Sequence, residues 1–158
     1  MNFATAIQVL VDAGVDFVII GGWSAVLHGS AYITNDLDIC FSRRPENLSR
    51  LAGALAPFHP RLRDLPDDLK FLWDERTLSN GTVFTLVTDV GKIDLLAEVA
   101  GLGTFEAVRS HSQLFEAADR RVWALSLPAL IQSKRAGGRA KYLQLLPELE
   151  SLLEAQED

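Results

Sequence analysis

Chemistry that depends on soft ligands or thiols has little to work with in this chain: 158 residues carry one cysteine, one methionine and three histidines. Cys40 has no partner for an internal disulfide, and no cysteine pair or Cys–His spacing is available to hold zinc. The lone thiol sits in an apolar run, where it is expected to act as a small buried hydrophobe. A chain without disulfides suits a reducing cytoplasm, which is the expected location. Long apolar runs are missing too: none reaches the roughly 18 residues that would span a bilayer. The opening MNFATAIQVLVDAG has no basic region or small-residue cleavage site of the secretory kind, so no membrane partner is expected. Positive charge is outnumbered, 15 Lys and Arg against 21 Asp and Glu, for a net charge of -6. That excludes a broad basic surface that coats nucleic acid, while leaving room for a local basic pocket. No G-x-x-x-x-G-K-[ST] loop occurs, which excludes a P-loop NTPase, and there is no internal repeat or low-complexity tract.

What remains is an ordinary globular composition, 48% hydrophobic and 23% charged, long enough to bury a core in one domain over 1–158. Ala6, Ile7, Leu10 and Val11 fall at helical spacing before Gly14, predicting a helix over 3–13. The β-branched run 17–20 predicts a buried strand, and residues 23–28 a short helix closed by Gly29. Strict alternation in 36–41 puts Leu37, Ile39 and Phe41 on one strand face and Asp36, Asp38 and Cys40 on the other. Pro45 opens a helix that stops before Pro57, and 59–74 yields only a short strand or turn. Residues 82–88 and 92–98 flank Asp89, Val90 and Gly91 as a β-hairpin, with Asp94 in its second strand. A short helix at 105–108 and a second hairpin over 113–124 follow. From Pro128 the chain is helical, interrupted at Gly137 and Gly138, with a new turn at Pro147. The fold class is therefore α/β (α+β): a mixed sheet core over 1–126 flanked by helices, with helices over 127–158.

The chemistry concentrates in residues 18–41. Gly21 and Gly22 join a strand to a helix, where missing side chains let backbone amides approach an anion and the helix N-terminus adds partial positive charge. Ser24 adds a hydroxyl. Asp36 and Asp38, at i and i+2 of a strand, point the same way and would repel without a cation between them. A hard divalent ion with oxygen ligands, magnesium foremost, fits such a pair together with a substrate's phosphates. Asp94 offers a third carboxylate, which would complete a two-metal arrangement.

This ordered set resembles the nucleotidyltransferase fold of the polymerase-beta type. Its apolar residue, Gly-Gly, paired acids and late third acid fall here on Ile20, Gly21, Gly22, Asp36, Asp38 and Asp94. The resemblance extends to small bacterial nucleotidyltransferases related to the toxins of abortive-infection and toxin–antitoxin systems. Their T-x-D-x-D-I, I-D-L-L and K-R-x-x-G-R-x-K stretches are matched at 34–39, 93–96 and 134–141, and their GG-x-A-x-x-x-HG at 21–29 with Ser24 in the alanine position. Tyr32 stands where relatives often carry arginine, and Tyr142 where they carry aspartate.

The resemblance implies transfer of a nucleoside monophosphate from an NTP to an acceptor hydroxyl, with pyrophosphate released. Asp36, Asp38 and Asp94 would be catalytic and would bind two magnesium ions, or manganese. Gly21, Gly22, Ser24, Lys134 and Arg139 would bind the nucleotide. The acceptor is left open between a protein, a tRNA end and a small molecule, and a cognate antitoxin or other protein is an implied partner. A non-catalytic nucleotide-binding module and an antibiotic-modifying transferase are the alternatives. His28 reads as structural, and Trp23, Trp73 and Trp123 as core packing.

Overall fold

Two apolar strands build the centre of the molecule. β1 (Phe17–Ile20) and β2 (Asp36–Phe41) lie antiparallel, with Ile20 opposite Asp38. The computed structural model describes the chain apart from Asp67, Arg139 and Asp158, and only the backbone of Lys141 and Tyr142. β2 runs parallel to β5 (Gly91–Leu96), which pairs antiparallel with β4 (Val83–Thr88), and β3 (Arg61–Leu62) borders β4. On the other side β1 is parallel to β9 (Arg120–Leu125), itself hairpinned to β8 (Ser112–Ala117). The result is a seven-stranded mixed sheet in the order β3-β4-β5-β2-β1-β9-β8.

The parity of β2 sorts its side chains into two cores. Leu37, Ile39 and Phe41 enter one core with Ile7 and Leu10 of α1 (Phe3–Asp12) and Leu48 and Leu51 of α3 (Pro45–Leu55). Cys40 enters the other with Val18, Ile20, Ala25 of α2 (Gly21–Leu27), Leu130 and Leu149. Each fully buried aliphatic side chain contributes about 1.5–3 kcal/mol through removal from water. The two acids of β2 thus lie on the second face, beyond the end of its apolar layer.

Local chemistry sets the ends of the helices. Asn2 caps α1 by accepting from the Thr5 amide at 3.1 Å, and Asp74 caps α4 (Glu75–Ser79) by accepting from Thr77 at 2.7 Å. Ser126 caps α6 (Leu127–Gly137), which has Pro128 in its first turn and Gly138 past its end at φ 66°. The C-terminal helical stretch divides into α7 (Ala140–Leu143) and α8 (Leu146–Glu157), with Pro147 opening the latter.

Helix α4 has no counterpart in the sequence-based expectation, and three further elements differ from it. Helix α2 starts at Gly21 itself, two residues early, because a glycine at φ 67° lets the strand turn straight into the helix. The β4–β5 loop contains only Asp89 and Val90, since Gly91 already pairs with Thr88. A two-residue ladder, β6 (Glu98–Val99) with β7 (Gly103–Thr104), precedes α5 (Phe105–Ser110) and is too short to leave a periodic signal.

Cys40 is fully buried, and its thiol is pushed up to about 12 by that burial and by the charges of Glu106 and Glu98. It is therefore expected to resist a thiol-specific colorimetric reagent in the native protein and to react stoichiometrically after denaturation. Among the described residues no helix is long and apolar enough to cross a membrane.

Candidate active site

The register of the parallel strands brings the predicted acids together. Asp38 pairs with Asp94 directly across β2 and β5, Thr85 pairs with Asp94 across β4 and β5, and Ile20 pairs with Asp38 across β1 and β2. Four strands thus hold one transverse row, Thr85–Asp94–Asp38–Ile20, with Asp36 two residues back on the same face as Asp38. Asp38 lies directly beside Asp94, and its Oδ1 is buried with no hydrogen-bond partner. Its carboxyl is pushed up to about 7, first by burial and then by the neighbouring charge of Asp94, with Asp36 adding a smaller push.

Both glycines are explained by close approach. A Cβ on Gly21 would lie 2.4 Å from Asp38 Oδ2, so the carboxylate packs directly on the backbone of the strand-to-helix turn. A Cβ on Gly22 would meet Tyr32 Cε1 at 2.7 Å and Thr34 Cβ at 3.0 Å, where the loop before β2 crosses the helix. Ser24 is fully buried and its Oγ donates to the Gly21 carbonyl at 2.6 Å. It braces the first turn of α2 and is not among the residues that line the adjoining cavities.

Two cavities share the row of acids as a common wall. One, about 270 Å³, runs from Gly21, Asp38 and Asp94 to Ser133, Lys134 and Gly137 of α6. The other, about 410 Å³, runs from the same Asp38 and Asp94 to Tyr32, Asn35, Asp36, Arg63 and Lys92. Lys134 is only 4% exposed, and its charge pulls the Asp38 carboxyl back toward its ordinary range. It is a buried cation facing the acids. Arg135, beside it in sequence, turns away to an ion pair with Glu150. Arg139, the other basic residue expected at the nucleotide, lies outside the described residues, as does the side chain of Tyr142.

Sequence reasoning passed over Arg63. It follows the two-residue strand β3, in a stretch where no periodicity exists to reveal it. Its Nη2 donates to Asp94 Oδ1 at 2.8 Å and its Nη1 lies 3.8 Å from Asp36 Oδ2, so one guanidinium bridges two of the three acids. Among the described residues no three acidic or histidine side chains converge closely enough, as they stand, to cage a metal ion. The donor set nevertheless suits a hard divalent cation. All three candidates are carboxylates, they repel one another, and the buried Oδ1 of Asp38 awaits a partner.

The remaining candidates are structural. His28 follows α2 and its Nε2 donates to the Leu125 carbonyl at 2.7 Å, with the ring edge-on to Phe115. Trp23 stacks on Phe3, Trp73 Nε1 donates to the Ala52 carbonyl, and Trp123 lies under the Arg109 guanidinium.

No family model matches the sequence, and no curated protein matches it. Solved structures do match. The lincosamide antibiotic adenylyltransferase LnuA, in a lincomycin-bound crystal structure, aligns over 93% of this chain and 93% of its own at 14% identity, with a TM-score of 0.61. A putative nucleotidyltransferase from Thermotoga maritima aligns over 96% of each chain at 15% identity, with a TM-score of 0.56. The fold is a nucleotidyltransferase fold. Within it this chain places Gly21, Asp38, Asp94 and Lys134 around one cavity, with Gly22, Asp36 and Arg63 lining the other on the far side of the shared acids.

Proposed function

We propose that the chain transfers a nucleoside monophosphate from an NTP to an acceptor hydroxyl. The direct pairing of Asp38 with Asp94, with Asp36 on the same face and a cavity on either side, is the observation that carries this reading. Asp36, Asp38 and Asp94 would hold magnesium, two ions in the full arrangement, and the bound cation would neutralise charge on the transferring phosphate and the acceptor oxygen. The Gly21–Lys134 cavity suits the triphosphate: the glycine leaves backbone exposed, and the buried ammonium meets phosphate charge in a dry setting. The acceptor oxygen attacks the α-phosphorus, the bond to the β-phosphate oxygen breaks, and pyrophosphate leaves. The acceptor proton passes to a carboxylate of the site. Positioning supplies much of the acceleration in such a reaction.

The test is incubation with each α-labelled NTP, magnesium and cell extract, followed by separation of protein, RNA and small molecules. Label retained in one fraction, and lost when Asp36 and Asp38 are both replaced by asparagine, is the expected result. Undiminished labelling by the double variant, or none with any NTP, would end the proposal. Label on a cellular protein or RNA would align the chain with the toxins its motifs resemble. Label on a small molecule would align it with the antibiotic-modifying enzymes, for which the roughly 410 Å³ cavity beside Tyr32 has room.

Lys134→Met keeps the length and packing of the side chain and removes its charge. It is expected to lower kcat/KM by on the order of 100-fold, mainly by raising KM for the NTP, in steady-state kinetics.

A further inference from the structure

Arg63 is held where it is by the sheet. Its backbone N–H donates to the Thr85 carbonyl at 2.9 Å, and Thr85 pairs with Asp94, so the guanidinium has one strand to cross. Nη2 reaches Asp94 at 2.8 Å and the Leu86 carbonyl at 3.3 Å, and Nη1 stands 3.8 Å from Asp36. The fit is incomplete. Arg63 Nε is buried without a hydrogen-bond partner, and so is Asp38 Oδ1. The site therefore keeps one unpaired donor, on Arg63, and one unpaired acceptor, on Asp38. One guanidinium offsets one unit of charge among three acids and occupies lone pairs that a cation would need.

The pair lies partly open, next to the edge strand of the sheet. Arg63 and Asp94 are 23% and 20% exposed, buried enough for the pair to matter more than a surface ion pair. The arginine is anchored by an edge strand of two residues, and the stretch beyond it exposes Leu69 and Leu72. It also lines the cavity of Tyr32, Asn35 and Lys92, away from Lys134.

Taking the transferase reading as its basis, we infer that Arg63 is the resident counter-ion of Asp36 and Asp94, which a divalent cation must displace. The acids are therefore closed to free cation and open to a cation that arrives with an anionic ligand. Phosphate oxygens accept hydrogen bonds and so replace the carboxylates for the released guanidinium, satisfying its Nε as well. Lys134 stays in place throughout, since it serves the other cavity. Arg63 acts as a positioning residue that selects the metal–nucleotide complex over the bare ion.

Manganese binding to the full chain, read from the free-ion paramagnetic resonance signal without nucleotide, tests this. Arg63→Gln is expected to bind Mn2+ about tenfold tighter than the unmodified chain. Arg63→Lys, which keeps the charge but not the fork, should fall between them. Saturating α,β-methylene-ATP should narrow the gap by raising affinity in the unmodified chain. An affinity unchanged or weakened in both variants, with their circular dichroism intact, would overturn the inference. If Arg63→Gln does not fold, Arg63→Lys carries the same comparison, and no gain there also overturns it. Label transfer with no change in Mn2+ affinity would remove the counter-ion role and leave the transferase reading standing. Tighter Mn2+ binding without any label transfer would do the reverse.

Discussion

Asp38→Asn is expected to eliminate nucleotidyl transfer and, at pH 8, to make the protein harder to melt. The carboxyl of Asp38 is raised from 3.8 to about 7, by burial first and by Asp94 second. The folded state therefore holds this proton more tightly than the unfolded chain does. Stability from the neutral carboxyl is complete below the ordinary carboxylate range and is lost as pH rises through about 7. At pH 8 the ionised group costs on the order of 2–4 kcal/mol in the absence of a cation. Asparagine has nearly the same shape and cannot ionise, so this penalty disappears. A rise in melting temperature of about 5 °C at pH 8, a smaller rise at pH 5, and little change only below the ordinary carboxylate range are expected from scanning calorimetry in EDTA. A fall at pH 8 would show that the carboxylate is welcome where it sits. Such opposition between stability and function is typical of groups kept for chemistry.

Gly21→Ala is expected to cost about 3 kcal/mol and to remove activity with it. Two effects combine at this position. A φ of 67° is uncomfortable for alanine, and the new methyl would sit 2.4 Å from Asp38 Oδ2 and 3.1 Å from its Cβ and Cγ. The carboxylate is hemmed in by the row it belongs to, so relief requires a shift of β2 or of the turn. Gly53→Ala is the natural control. It lies within α3 with nothing inside 4 Å of an added Cβ, and should gain about 0.5–1 kcal/mol from helix propensity. Urea titration of both variants checks the contrast. Similar small losses in each would mean that the approach of Asp38 to Gly21 is not constraining.

Much of the site could be read in the sequence because it rests on period-two strands. Alternation in 36–41 put Asp36 and Asp38 opposite Leu37 and Ile39, and the structure keeps that division between two cores. Asp94 was visible as an acid in an apolar strand. What alternation cannot give is which strands become neighbours, so the direct pairing of Asp38 with Asp94 emerged only from the sheet order. Lys134 and Arg135 look equivalent in sequence. The helix separates them, one into the cavity and the other toward Glu150. Ser24 looked like a donor to substrate, yet its first obligation is a backbone carbonyl one turn away. Arg63 was hidden because its strand is two residues long and borrows its geometry from Thr85.

The alternation of β2 has a consequence for how this chain tolerates insertions and deletions. Removing one residue from the strand would swing Leu37 and Ile39 out of their core and push aspartates into it, because a single step reverses every side chain. Removing two would restore the alternation but slide Asp38 out of line with Asp94. No frame of β2 other than its own satisfies both the oil and the acid. The strand's length is thus under two independent constraints, and any length variation the protein can bear must be sought in its loops.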